Sequence, residues 1–281
     1  RVTRDVVPQK DPRENRYRMY RFERTSMNSI SLTDIERRWF LARHEPICPY
    51  FKDRPASLLF LRGDNVGQLY RQLLDEGYRR SGEHLYRPDC PGCRECQVYR
   101  VAVDRFEMRK SQRRIFRNGQ KKFQHRLVRP SLTSEKMDLY RKYLAGQHGD
   151  PEQALMLDDF SYMEFFVRSF LGDRTREIQL YDGDRLIGVG ICDLIMDVWS
   201  SVYFYFDPDY SADSPGHYSM LLEIDLARDM GYEYYYPGFL IHGIPAMEYK
   251  NRLRPGQIRI IGSKDFTEYS PPVSGIETRE Y

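Results

Sequence analysis

The order of hydrophobic patterns after Pro130 leaves this chain few folds to choose from. Thr133 or Ser134 can cap a helix running to Leu144, with Met137, Tyr140 and Leu144 on one face. Residues 160–171 form a second, strongly aromatic helical pattern. Residues 177–181 and 186–193 alternate around the turn Asp182-Gly183-Asp184, which is a hairpin signal. Residues 198–206 continue as a third strand. A polar loop over 207–216 leads into a helix over 217–230 that Gly231 ends, and 232–236 reads as another strand.

Helix–helix–strand–strand–strand–loop–helix–strand is the order of the N-acetyltransferase (GNAT) type of acyltransferase fold. In that fold the loop before the central helix cradles a phosphate or carries the acyl donor. The first half is less regular. Residues 1–30 are polar with scattered Arg and read as an extended arm. Residues 31–43 predict a short helix with Ile35, Phe40 and Leu41 on its apolar face. Residues 56–61 predict a buried strand, 66–80 an amphipathic helix ending near Gly77, 98–103 a strand, and 111–122 a basic helix. The expectation is an α+β protein with a small Cys-containing N-terminal domain, 1–130, and a GNAT-like C-terminal domain, 131–281.

The five cysteines are an odd number, which argues against a disulfide scaffold and for a reducing, cytoplasmic setting or a metal site. Cys90, Cys93 and Cys96 repeat every third residue in a loop with Pro91 and Gly92, so three thiols can turn toward one centre. Cys48, also between prolines, is the candidate fourth ligand. Four thiolates suit a [4Fe–4S] cluster or tetrahedral zinc, and three close cysteines plus a distant one favour the cluster. Free buried thiols are the plainer alternative. Cys192 lies in an apolar strand and reads as a core residue.

Net charge is +3, but the charge is segregated along the sequence. Residues 105–129 hold ten Lys/Arg and one acid, a local charge of +9. Residues 150–237 hold eighteen Asp/Glu and five Arg, a local charge of −13. A polyanion would feel the first segment as an attractive patch. No run of about 18 apolar residues appears, so no membrane span is expected. No targeting segment is visible. The absence of G-x-S-x-G and of a G-x-x-x-x-G-K phosphate loop makes hydrolase and nucleotide-triphosphatase readings weak.

Several of these segments together resemble a known family. The run Gly77-Tyr78-Arg79-Arg80-Ser81-Gly82-Glu83-His84-Leu85-Tyr86-Arg87-Pro88-Asp89-Cys90, followed by Cys93, Cys96, Ser111-Gln112-Arg113-Arg114 and Arg117-Asn118, resembles the aminoacyl-tRNA–protein transferases. These include the bacterial aspartate/glutamate leucyltransferases and the eukaryotic arginyltransferases. Cys48-Pro49-Tyr50 resembles the family's first cysteine block. Phe206-Asp207-Pro208, Tyr236-Pro237-Gly238-Phe239-Leu240-Ile241-His242, Met247-Glu248-Tyr249-Lys250 and Arg254-Pro255 resemble its C-terminal block. Phe51, Ile244 and Ala246 depart from the family pattern, so leucine and arginine both stay open as donors, with leucine expected.

The resemblance implies transfer of an amino acid from aminoacyl-tRNA to the α-amine of a protein that begins with Asp or Glu, which marks that protein for degradation in the N-degron pathway. The donor is an activated ester, so the task is to hold a neutral amine at its carbonyl, remove a proton and stabilise the oxyanion. Asp158, Asp159 or Asp207 could steer the amine or accept its proton. Tyr249 and Lys250 could face the tRNA 3′ end or the oxyanion. An acidic acceptor residue wants the forked guanidinium of Arg, for which Arg79 and Arg80 are candidates. Gln147, His148 and His242 are further substrate-contact candidates. Lys110, Arg113, Arg114, Arg117, Lys121 and Lys122 would neutralise tRNA phosphates. No cofactor is needed for the transfer itself. Two other classes remain: a metal-bearing RNA-binding module without catalysis, and a coenzyme-A-dependent N-acyltransferase.

Overall fold

The computed structural model describes residues 30–271, apart from Asn65 and residues 148–150. The expected N-terminal arm lies outside the described residues.

The chain starts with α1 (Leu32–Trp39), whose N-cap Ser31 accepts a hydrogen bond from the Asp34 amide at 3.1 Å. Ile35 and Trp39 are its buried face. The helix stops sooner than its sequence suggests, because Phe40 and Leu41 open β1 (Phe40–His44) and stay exposed. Next come β2 (Leu58–Arg62), the short α2 (Tyr70–Asp75), β3 (Arg79–Ser81) and β4 (His84–Pro88). Gly77, at φ +88°, turns the chain from α2 into β3, near where the helix was expected to end. These four strands form a sheet in the order β1-β2-β4-β3.

The larger sheet begins with β5 (Gln97–Ala102). It is followed by the basic helix α3 (Lys110–Lys122), β6 (Gln124–Val128), α4 (Ser134–Gln147), α5 (Pro151–Met156) and α6 (Asp159–Tyr162). The aromatic segment predicted as one long helix is α6 plus a single π turn over Met163–Val167. β7 (Thr175–Asp182) and β8 (Arg185–Ile195) form the expected hairpin, closed by Gly183 at φ +58°. β9 (Val198–Phe206), α7 (Pro215–Asp229) and β10 (Tyr234–Leu240) complete the predicted order. α8 (Pro245–Glu248), β11 (Gln257–Arg259) and β12 (Thr267–Glu268) close the described chain.

The eight strands run β12-β11-β5-β10-β9-β8-β7-β6. β10 and β9 pair in parallel, while the other pairs are antiparallel. This is the N-acetyltransferase-type α+β fold. Its sheet is not divided near residue 130: β5 and β6, placed in the first domain by sequence, hydrogen-bond to β10 and β7. α7 covers one face with an apolar core that includes Trp199, Leu221, Ile224 and Leu240. α4 covers strands β8 and β9 with an aromatic cluster of Tyr140, Tyr143, Tyr162, Phe166 and Tyr205.

Several acids of the −13 segment pair with cations from outside it. Arg80 pairs with Asp193, Lys122 with Asp213, Arg129 with Asp173, Lys136 with Glu177, Lys142 with Asp207, and Arg71 with Asp197. Four of these acids, Asp173, Asp193, Asp197 and Asp213, tie the second half to cations of the first. The basic helix is different. Lys110, Arg113, Arg114, Arg117, Lys121 and Lys122 are all exposed, and of these Lys122 reaches an acid, Asp213, at 2.6 Å.

Candidate active site

A sheet opens where a ladder loses its donor. β9 and β10 pair over Val198–Tyr234, Trp199–Tyr235 and Ser200–Tyr236. The next residue on β10 is Pro237, which has no N–H, and Gly238 follows at φ +104°. Beyond that point β9 runs on to Phe206 and β10 to Leu240 without hydrogen-bonding to each other. β10 keeps its partner β5 on the other side.

Two cations meet at this parting. A Cβ on Gly238 would lie 3.4 Å from Lys250 Nζ and 3.9 Å from Arg79 Nη2, ordinary contact distances that place both side chains beside this backbone. Arg79 Nη2 donates to the Ser201 carbonyl at 2.5 Å, while its buried Nη1 has no hydrogen-bond partner among the described residues. Lys250 Nζ donates to the Phe239 carbonyl at 2.9 Å. Burial pushes the Lys250 amine down to about 7, and the neighbouring Arg79 charge adds to the shift. Beside it, Tyr249 meets the His217 ring edge-on, with 5.5 Å between centroids. Burial, helped by nearby Glu223, raises the Tyr249 hydroxyl to about 12. The imidazole Nε2 of His217 is buried without a hydrogen-bond partner among the described residues, as is Ser200 Oγ.

Other candidates are occupied elsewhere. Arg80, next to Arg79 on β3, points to the opposite face and is buried against Asp193, with Nε 2.8 and 3.0 Å from the two carboxylate oxygens. Its expected role in substrate binding gives way to a structural one. Asp207 is buried and held by Lys142 at 2.6 Å, by Arg185 and by the Asp209 amide. Burial alone would raise its pKa, but the Lys142 hydrogen bond and the other partners outweigh that and hold the carboxyl below its usual value. That makes it a poor proton acceptor. Asp158 is an exposed helix cap, accepting from the Ser161 amide at 2.7 Å, which lowers its pKa. Asp159, also exposed, opens that helix. His242 stacks on Tyr269 and lies 3.5 Å from Glu248. Gln147 ends α4, and His148 lies outside the described residues.

One residue of the site had no reading from sequence. Glu223 lies in the buried stretch Tyr218–Ile224 of α7 and accepts hydrogen bonds from Trp199, Ser201 and Ser219. Its signal was an acid inside the otherwise apolar run Met220-Leu221-Leu222-Glu223-Ile224.

The four cysteines are free and half-buried. Cys90, Cys93 and Cys96 line one cleft. The Phe51 amide points at Cys48 Sγ (3.5 Å) and the Ser57 amide at Cys90 Sγ (3.3 Å). Burial raises the Cys96 thiol to about 12, with added contributions from Cys90, Cys93 and Cys48. Among the described residues, no three His, Cys, Asp or Glu side chains are arranged to hold a metal ion.

Two family profiles match the chain: "Arginine-tRNA-protein transferase, N terminus" over residues 46–114 and "Arginine-tRNA-protein transferase, C terminus" over 135–260. An aspartate/glutamate leucyltransferase of Pseudomonas fluorescens is 34% identical over 231 residues, covering 82% of this chain and 97% of that protein. The chain belongs to the aminoacyl-tRNA–protein transferase family. A second relative, the aspartate/glutamate leucyltransferase of Ruegeria pomeroyi, is 35% identical over 217 residues, covering 76% of this transferase and 79% of that protein. Among solved structures, FemX has a TM-score of 0.46 at 10% identity, covering 80% of this chain and 87% of FemX, which is too distant to bear on the site. No helix among the described residues is long and apolar enough to cross a membrane.

Proposed function

We propose that this aminoacyltransferase moves leucine from leucyl-tRNA to the α-amine of proteins that begin with Asp or Glu, and so marks them for the N-degron pathway in the cytoplasm. The observation that carries the reading is the meeting of Arg79 and Lys250 where β9 and β10 part. The free Nη1 of Arg79 suits the acceptor's side-chain carboxylate. Lys250 suits the ester oxygen, because the charge that develops there in the transition state raises the amine's affinity for its proton. The two relatives named above support leucine as donor and Asp or Glu as acceptor. Purified protein with leucyl-tRNA should label peptides beginning with Asp or Glu and leave an Ala-initiated peptide unlabelled. Labelling of none, or of all three alike, would contradict the reading.

The exposed face of α3 supports a tRNA contact. Arg114→Glu with Arg117→Glu should weaken tRNA binding more than tenfold and flatten its salt dependence by roughly one unit for each phosphate left unneutralised. Thermal stability should not change, since both side chains are exposed. Unchanged affinity and salt slope would place the tRNA elsewhere.

The four thiols of Cys48, Cys90, Cys93 and Cys96 have the chemistry of ligands to a soft metal group, and backbone N–H groups point at two of the sulfurs, although the thiols are not gathered around one centre here. We assign these four residues to a [4Fe–4S] cluster or zinc, which would staple the 48–54 loop to the 90–96 loop. No step of transfer passes through it. Elemental analysis after anaerobic purification should find iron with sulfide, or zinc. Protein that lacks all three yet melts and transfers normally would defeat the assignment.

A further inference from the structure

Glu223 lies in the middle of α7, 2% exposed, and among the described residues no cation pairs with it. Neutral donors hold it instead. Trp199 Nε1 donates to one carboxylate oxygen at 2.9 Å, and the Ser201 and Ser219 hydroxyls lie 3.3 Å from the other. The titratable groups that face it are the Cys192 thiol of β8, the Tyr235 hydroxyl of β10 and the Tyr249 hydroxyl of the C-terminal segment. All three are neutral, so no charged group there offsets the burial of a negative charge. A carboxyl kept only to pin a helix to a sheet does not need to lie behind the active site. This one does, because Ser201 is the first residue of β9 past its last pairing with β10. Ser201 is half-buried, and its carbonyl takes the Arg79 hydrogen bond.

We propose that Glu223 stores the proton of the transfer reaction and exchanges it with the substrates through the Ser201 hydroxyl. The proposal rests on the reading above that the aminoacyl end and the acceptor amine meet at this parting. The amine nitrogen bonds to the ester carbon while the carbonyl electron pair moves onto oxygen. An ammonium proton then passes to Ser201 Oγ as the Ser201 hydroxyl proton passes to Glu223. When the carbon–oxygen bond to the ribose breaks, its electron pair leaves on the ribose oxygen. Glu223 returns the proton to that oxygen by the same route. The amide and a free ribose hydroxyl result, and no outside acid, base or oxidant is consumed. Burial raises the Glu223 carboxyl to about 7, against the lowering effect of its three hydrogen bonds, which leaves it able to take and release a proton near neutrality.

The test compares Glu223→Gln, Ser201→Ala and Ser201→Thr with the wild-type protein in steady-state transfer over about two pH units either side of 7. Glu223→Gln keeps volume and acceptor oxygen, and should melt like wild type with unchanged KM for both substrates. Its kcat should fall about 100-fold, and the acidic limb of the kcat profile should vanish. Ser201→Ala should lose a similar factor, and Ser201→Thr, which keeps a hydroxyl, should regain most of it. Wild-type kcat with an unaltered acidic limb in Glu223→Gln would overturn the proposal. If that variant fails to fold, wild-type kcat in Ser201→Ala overturns it equally. Wild-type protein that transfers nothing from any charged tRNA would defeat the underlying reading, and with it the proposal.

Discussion

Replacing Lys250 by Met should lower kcat about 100- to 1000-fold and leave the protein folded. Lys250 is 6% exposed, and its contacts are the Phe239 carbonyl and the Met247 sulfur. Methionine is close in volume and unbranched, so it should fill the same space without a cavity. What it cannot do is donate to the oxygen that becomes negative in the transition state. The loss should therefore appear in kcat more than in KM. Stability gives a second readout with a definite sign. The native amine is held near 7, while an unfolded lysine titrates near about 10.4. Between those values the unfolded chain binds a proton that the native chain does not, so the Lys250 contribution to stability rises with pH across that window. Below pH 7 both states are protonated and the penalty of burying the charge is fully present. The stability of wild type relative to the Met variant should thus improve steadily from pH 7 toward 10 in urea melts. A flat difference, or normal kcat, would mean that Lys250 is neither desolvated nor at the reacting carbonyl.

Replacing Arg80 by Ala should destabilise the protein by about 3–5 kcal/mol. The side chains of Arg80 and Asp193 are both fully buried. Asp193 also accepts from the Tyr70 hydroxyl at 2.9 Å and the Thr175 hydroxyl at 2.8 Å, so one carboxylate joins α2, β3, β7 and β8. Without Arg80, that carboxylate is left in the core with two neutral donors. Domains of this kind are stable by about 5–15 kcal/mol, so the variant should unfold at much lower urea and accumulate poorly in cells. A direct contact with substrate would show a different pattern: raised KM for the acceptor peptide and an unchanged melt. Arg79→Ala should raise the KM for the acceptor peptide, because its Nη1 has no hydrogen-bond partner among the described residues and its neighbours are the backbone of Ser201 and the amine of Lys250.

The contrast between these two arginines shows where reading the sequence stops. Neighbouring residues on a strand face opposite sides, so one of the pair must turn inward. Which one depends on how β3 sits on β4 and β9, and local pattern does not encode that. The second-half strands were legible because alternation and glycine turns mark them locally: 198–206 reads as a strand and is one, and Gly183 and Gly231 stop elements where expected. Pairing between distant segments was not legible. β5 and β6 look like parts of a first domain until their hydrogen bonds to β10 and β7 are seen. The role of Asp207 is hidden for the same reason, since its partners Lys142 and Arg185 come from α4 and β8. Lys250 was legible as a candidate, but its low pKa was not, because burial among Arg79, Phe239 and Met247 is a tertiary fact. Glu223 escaped because an acid on a helix ordinarily faces water. The parting of β9 and β10, in contrast, has a sequence cause in Pro237-Gly238.

Transfer by the purified protein with leucyl-tRNA and arginyl-tRNA side by side, using one peptide that begins with Asp, tests the reaction and its donor together. The expected result is a leucine-extended peptide, formed with a kcat that Lys250→Met lowers about 100-fold or more. Arginine extension alone, or no extension from either donor, would contradict it.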